Sequence, residues 1–167
     1  MTHSSTPVFE SLPRLIERYK ALLELLEREF NSADLLDGFV VSPERILRRD
    51  VVMAEIEHIP SYVSDADKVA RYHWATNQLT RLLRQIEGEE LRFIRQRAWT
   101  LRRRIYDLRR TLISAQAQPH VRLLAQECRS WINDFVRKAD DPRATLAELR
   151  PKLVGITTRI NQIAEKL

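Results

Sequence analysis

The chain reads as all-α: an elongated helical bundle of about five helices around one long central helix, with coiled-coil-like seams. Two observations carry this. Glycine occurs 3 times in 167 residues, while Leu, Arg, Glu and Ala are abundant and β-branched residues rarely cluster, a composition of helix formers. Apolar residues also recur in alternating steps of three and four, the period of a helix turning about 100° per residue. The length is one domain's worth of chain, enough to bury a core. We therefore expect a polar tail over 1–6 and a single all-α domain over 7–167: acidic N-terminal helices over 7–58, a long central helix over 65–116, and C-terminal helices over 119–167.

The first helix is expected from about Pro7 to Phe30, with Leu12, Ile16, Tyr19, Leu23, Leu26 and Phe30 as its seam, widened by Leu15 and Leu22. Asn31 to Val41 contains Asp34, Asp37 and Gly38 and reads as a loop, with Leu35, Leu36, Phe39 and Val40 tucked inward. Ser42, Pro43 and Glu44 then start a second helix. They supply a capping hydroxyl, a proline in the first turn and an acid at the positive end of the dipole. Pro60 stops that helix near His58.

Ser64 or Asp65 caps the third helix, whose first seam is Val69, Tyr72, Thr76, Leu79, Leu83 and Ile86. The next seam residue is Leu91, a step of five across Gly88. The helix either bends there or passes its seam from one set of neighbours to another. Glu87, Gly88 and Glu89 are too few for a hairpin, so continuity to Ser114 is favoured, about 50 residues or ~75 Å at ~1.5 Å per residue. Pro119 opens a fourth helix with Val121, Leu124, Cys128, Trp131 and Phe135 as its seam, ended by Asp140, Asp141 and Pro142. Thr145 and Glu148 form a capping box for a fifth. Its seam is Leu146, Leu149, Leu153, Ile156, Ile160, Ile163 and Leu167; Pro151, inside it, should cost stability or kink the helix unless the helix proper starts there.

Charge is concentrated in one place. Between Arg92 and Arg110 there are 8 arginines and one acid, a local +7 on a chain whose net charge is +5. Residues 1–60 sum to −4, from 7 basic and 11 acidic groups. Such a localised positive field attracts polyanions or an acidic partner. The stretch carries an apolar seam at Leu91, Ile94, Ala98, Leu101, Ile105, Leu108 and Leu112. On its other side lie Arg92, Arg95, Arg102, Arg103, Arg109 and Arg110, with Trp99 and Tyr106 among them.

Guanidinium groups pair with phosphates and aromatic faces stack on unpaired bases, so Arg92, Arg95, Trp99, Arg102, Arg103, Tyr106, Arg109 and Arg110 form a candidate nucleic-acid-binding set. The alternative is a second packing seam. Arg95, Trp99, Arg102, Tyr106, Arg109 and Ile113 also step by four and three, and arginine stems can cover apolar surface.

Other chemistry is sparse. Glu55 and His58 make one Glu-x-x-His pair, where a di-iron carboxylate bundle needs two and further glutamates. Gly38, Gly88 and Gly155 are isolated, so no nucleotide-binding loop is expected, and no spacing implies a catalytic triad. No cofactor and no enzymatic activity is expected. Cys128, the single cysteine, falls on an apolar seam and reads as a buried inert thiol in a reducing compartment. No apolar run reaches the ~20 residues a membrane helix needs, and the N-terminus lacks a basic start and a hydrophobic signal core. A cytoplasmic location is therefore expected.

In composition and helix length the chain is similar to arginine-rich all-α small subunits of nucleoprotein assemblies, such as those of RNA-guided complexes or phage recombination mediators. The arginine face itself leads to the expectation of a non-enzymatic accessory subunit of a nucleoprotein assembly, binding DNA or RNA largely through backbone contacts. The alternative is a helical protein–protein interaction scaffold or oligomeric adaptor without nucleic-acid binding. Its arginine face would meet an acidic partner or the chain's own acidic first helix. Either way the chain is expected to be a homo-oligomer or a subunit of a larger complex.

Overall fold

A computed structural model of the chain describes residues 10–33 and 36–166, apart from the side chains of 32 and 33. It holds five α-helices and, among the described residues, no strand: α1 (Leu12–Ala33), α2 (Pro43–Glu57), α3 (Asp65–Ser114), α4 (Pro119–Asp140) and α5 (Leu146–Glu165). The expected tail over 1–6, the helix start at Pro7, and Leu35 and Leu167 lie outside the described residues. None of the described helices is long and apolar enough to cross a membrane. The chain divides into two compact units, one ending at Ile86 and one beginning at Glu87.

The first unit contains α1, α2 and the N-terminal part of α3. Helix α1 begins at Leu12, with Ser11 accepting its first backbone bond from Leu15 at 3.1 Å. Pro13 therefore sits in the first turn, where its missing N–H costs nothing. At the other end α1 runs on to Ala33, beyond the expected stop at Phe30, because no breaker occurs before Asp34. The turn after it closes from Phe39 N–H to the Leu36 carbonyl at 3.1 Å, with Gly38 at φ 88°, a backbone shape that favours glycine. Leu36 and Val41 are buried there, whereas Val40 points out. Ser42 precedes α2 through its backbone alone; its hydroxyl makes no capping bond. Ser64 does cap α3, accepting from Asp67 N–H at 3.3 Å.

The core of this unit joins Tyr19 and Leu26 of α1, Val41, Val52 and Ile56 of α2 and its approach, and Ala75, Leu79, Leu82 and Ile86 of α3. Tyr19 meets Tyr72 edge-on, ring centroids 5.6 Å apart, and burial pushes the Tyr19 phenol above its usual range. Arg45 donates to Gln85 and Arg48 to Gln78, both at 2.9 Å, which sets α2 antiparallel to α3.

The second unit is an up-down-up arrangement of the C-terminal part of α3 with α4 and α5. Arg95 on α3 donates to the Ala139 carbonyl at the end of α4, at 2.9 Å. Arg104 donates to Asn161 of α5 at 2.8 Å. Helix α4 buries Val121, Ala125, Cys128, Ile132, Phe135 and Ala139, and α5 buries Leu149, Leu153, Ile156, Ile160 and Ile163. Full burial of a Leu or Ile contributes about 1.5–3 kcal/mol, so these faces dominate the unit's stability. Trp131 is not in the α4 seam as expected; Ile132 takes that place and Trp131 is 39 % exposed. The residues buried with Ile132 on this face include the small Ala125, Cys128 and Ala139. The buried Cys128 thiol is pushed up by desolvation.

Helix α3 is unbroken at Gly88. The buried positions run Ile86, Glu90, Ile94, Ala98, Leu101, Ile105, Leu112, so the missing apolar step is filled by a glutamate rather than by Leu91, which is only half-buried. Glu90 is tolerated because Arg150 of α5 meets it with two bonds, at 2.5 and 2.7 Å. At α5, Thr145 Oγ1 accepts from Glu148 N–H at 3.4 Å, which is half of the expected capping box; the Glu148 carboxylate turns to Lys138, 3.8 Å away. Pro151 sits within α5 without ending it, on the exposed side where water can reach the carbonyl it leaves unbonded.

Candidate nucleic-acid interface

The arginine stretch lies wholly in the second unit, on the part of α3 that packs beside α4. At 100° per residue, Arg92, Arg103 and Arg110 fall within about 20° of one line along the helix. All three are exposed, and Trp99, on nearly the same line, is 53 % exposed. Arg95, Arg102 and Arg109 recur every seven residues about a quarter-turn away, nearer α4, and all three are half-buried. The six arginines thus form an outer and an inner row.

Two of the inner row, Arg95 and Arg109, meet α4, and Arg102 lies over rings of α3 itself. Arg95 bonds the Ala139 carbonyl and stands 3.9 Å from Asp140. The Arg102 guanidinium lies 5.1 Å from the Trp99 ring centroid and 5.8 Å from that of Tyr106. Arg129 of α4 approaches the same tyrosine at 5.0 Å. Cations over π faces are attracted by the ring quadrupole, so Trp99, Arg102, Tyr106 and Arg129 make a continuous stack. Arg109 lines a shallow depression of about 330 Å³ with Arg122, Leu123 and Gln126 of α4.

Electrostatics mark the same spot. The Tyr106 phenol is lowered from 10.0 to about 8, first by Arg129, then by Arg102 and the Asn133 amide, all of which favour the phenolate. The main causes are donors to the phenol oxygen, two of them cationic. Among the described residues, Arg95 is the one member of the six with a carboxylate within ion-pair distance.

The packing alternative for this face is only partly realised. Arg95, Tyr106 and Arg109 do lean on α4, but Trp99 and Ile113, at 53 % and 64 % exposure, are open. Two arginines of this surface, Arg122 and Arg129, were missed by reasoning from the sequence. They are seven apart on α4, a spacing that could have flagged a cationic row facing the inner row of α3. Elsewhere, His58 Nδ1 lies 2.7 Å from the Ala54 carbonyl, at the end of α2. No group of three or more His, Cys, Asp or Glu residues is arranged to hold a metal among the described residues.

Compared with protein-family models, with curated proteins and with solved structures, the chain matches none.

Proposed function

We propose that the second unit binds a nucleic-acid strand across the α3–α4 surface, and that the chain serves as a non-enzymatic accessory subunit of a nucleoprotein assembly. The observation that carries this reading is the half-exposed Trp99 ring, backed by Arg102 and flanked by the exposed, carboxylate-free Arg92, Arg103 and Arg110. An open indole beside cations suits an unpaired base with its phosphates, since stacking supplies about 1–3 kcal/mol per base and guanidinium groups neutralise the backbone.

Fluorescence anisotropy with labelled single-stranded and duplex DNA and RNA tests it. Five phosphate contacts, from the outer row with Arg102 and Arg109, give a log–log salt slope of about −3.5 on single strands, at ~0.7 each. The triple variant Arg92→Glu, Arg103→Glu, Arg110→Glu should abolish binding while staying folded. Salt-independent binding, or none by the native chain, defeats the reading.

A second reading, a protein-interaction adaptor, is favoured by the outer side of α2, where Leu47 and Val51 are 64 % and 46 % exposed. The two lie one helical turn apart, so a partner could cover both at once. Light scattering distinguishes the two. Association lost in Leu47→Glu, Val51→Glu but kept in the triple arginine variant supports the adaptor.

A further inference from the structure

On the far side of α4 from Tyr106, the second unit carries another feature, independent of the α3–α4 surface. Helices α4 and α5 enclose a cleft of about 400 Å³. Its floor is Phe135 and Ile156. Gly155 opens it further: a Cβ built there meets nothing within 4 Å. One end is closed by Trp131 of α4 and Arg159 of α5, the guanidinium 5.3 Å from the ring centroid. The other end holds Lys138 of α4 and Lys152 of α5.

The helices run antiparallel, and each pair is seven residues from the other along its helix, so the two ends are about 10.5 Å apart. We propose that this cleft binds a mononucleotide unit, with the base against Trp131 and Arg159 and the phosphate between Lys138 and Lys152.

Size, charge and shape agree on this occupant. The volume lies within the ~300–1,000 Å³ of small-molecule sites, and a mostly apolar lining with a few convergent polar groups is their usual character. The two lysines crowd each other: Lys138 is the main cause holding the Lys152 ammonium below its usual range. Glu148 pairs with Lys138 at 3.8 Å on its α5 side, while Asp134, midway along the cleft, is engaged by Arg137. A phosphate entering between the ammonium groups would relieve that repulsion. An extended acidic chain is disfavoured, because past the lysines α4 ends in Asp140 and Asp141, and the first turn of α5 carries Glu148. A compact anion with one flat apolar part fits; a long acidic helix does not.

Calorimetric titration of the full chain with adenosine 5′-monophosphate, with orthophosphate and with adenosine tests the assignment. The nucleotide should bind at least tenfold more tightly than either fragment. Lys152→Glu should weaken it tenfold or more. Gly155→Leu should abolish binding with the thermal midpoint kept or raised, since it fills open space and removes a glycine from a helix.

Nucleotide affinity no better than orthophosphate, insensitivity to Gly155→Leu, or preference for an acidic helical peptide overturns the proposal. The source of the unit is read in the triple outer-row variant, where failure of the α3–α4 surface cannot interfere. A 5′-phosphorylated oligonucleotide that still binds, and that the mononucleotide displaces, assigns the cleft to a strand end. Binding of the mononucleotide alone assigns it to free nucleotide.

Discussion

Arg150 of α5 donates from Nε and Nη2 to the two carboxylate oxygens of Glu90 on α3, and the Glu90 side chain is wholly buried. A bidentate pair of this kind fixes the register of the two helices as well as their attraction. Breaking it from one side strands a buried charge, so Arg150→Met should cost about 3–5 kcal/mol. The double change Glu90→Leu, Arg150→Met removes both charges and should recover most of that loss. Urea unfolding of the two variants decides it; an equal loss in both would mean the pair contributes large net stability.

The turn after α3 stores a small backbone strain. Gln116 adopts φ 49°, and the flanking bonds, Ala117 N–H to Leu112 and Gln116 N–H to Ile113 at 3.0 and 3.3 Å, form a Schellman motif. Left-handed backbone costs a residue with a Cβ about 1–2 kcal/mol. Gln116→Gly should therefore stabilise the fold by about 1 kcal/mol, less the added entropy of the unfolded chain, read as a raised urea midpoint.

The outer arginine row and Arg95 should separate in mutagenesis. Arg103→Ala and Arg110→Ala, on the outer row, should each reduce the salt slope of strand binding by about 0.7 and leave stability within about 0.5 kcal/mol. Arg95→Ala, on the inner row, should instead cost about 1 kcal/mol, because it removes a donor from the carbonyl end of α4. Thermal unfolding and anisotropy on the same three variants measure both effects. Loss of stability from the outer row would contradict the assignment.

Tyr106 gives binding and folding opposite pH responses. Its folded phenol titrates at about 8 against 10.0 for an ordinary tyrosine. Above 8 a phenolate forms beside Arg102 and Arg129 and cancels positive charge, so strand affinity should fall from pH 7 to pH 9. Between those two pKa values the unfolded chain binds more protons than the folded one. Its contribution to stability is therefore absent below the folded value, rises with pH between the two, and is complete above the unfolded one. Tyr106→Phe should flatten both profiles, and phenolate absorbance locates the titration directly.

The helices were legible because their signals are local. Pro43 and Pro119 in first turns, Thr145 before Glu148, and Gly38 in the turn after α1 act over three or four residues, and the heptad-like seams average over many more. Positions on a seam were less secure. Neither Trp131 facing outward nor Val41 replacing Val40 could be read from spacing, since both depend on which neighbour is close.

What the sequence by itself determined is the all-α class, the five helices and the cationic stretch of α3, all set by period, composition and turn chemistry along the chain. Tertiary structure alone decided that Glu90 is buried, that Arg129 and Tyr106 share one field, and that Lys138 faces Lys152 across a cleft. Those relationships join residues 14 to 60 positions apart, and a one-dimensional pattern carries no distance between helices that only packing brings together.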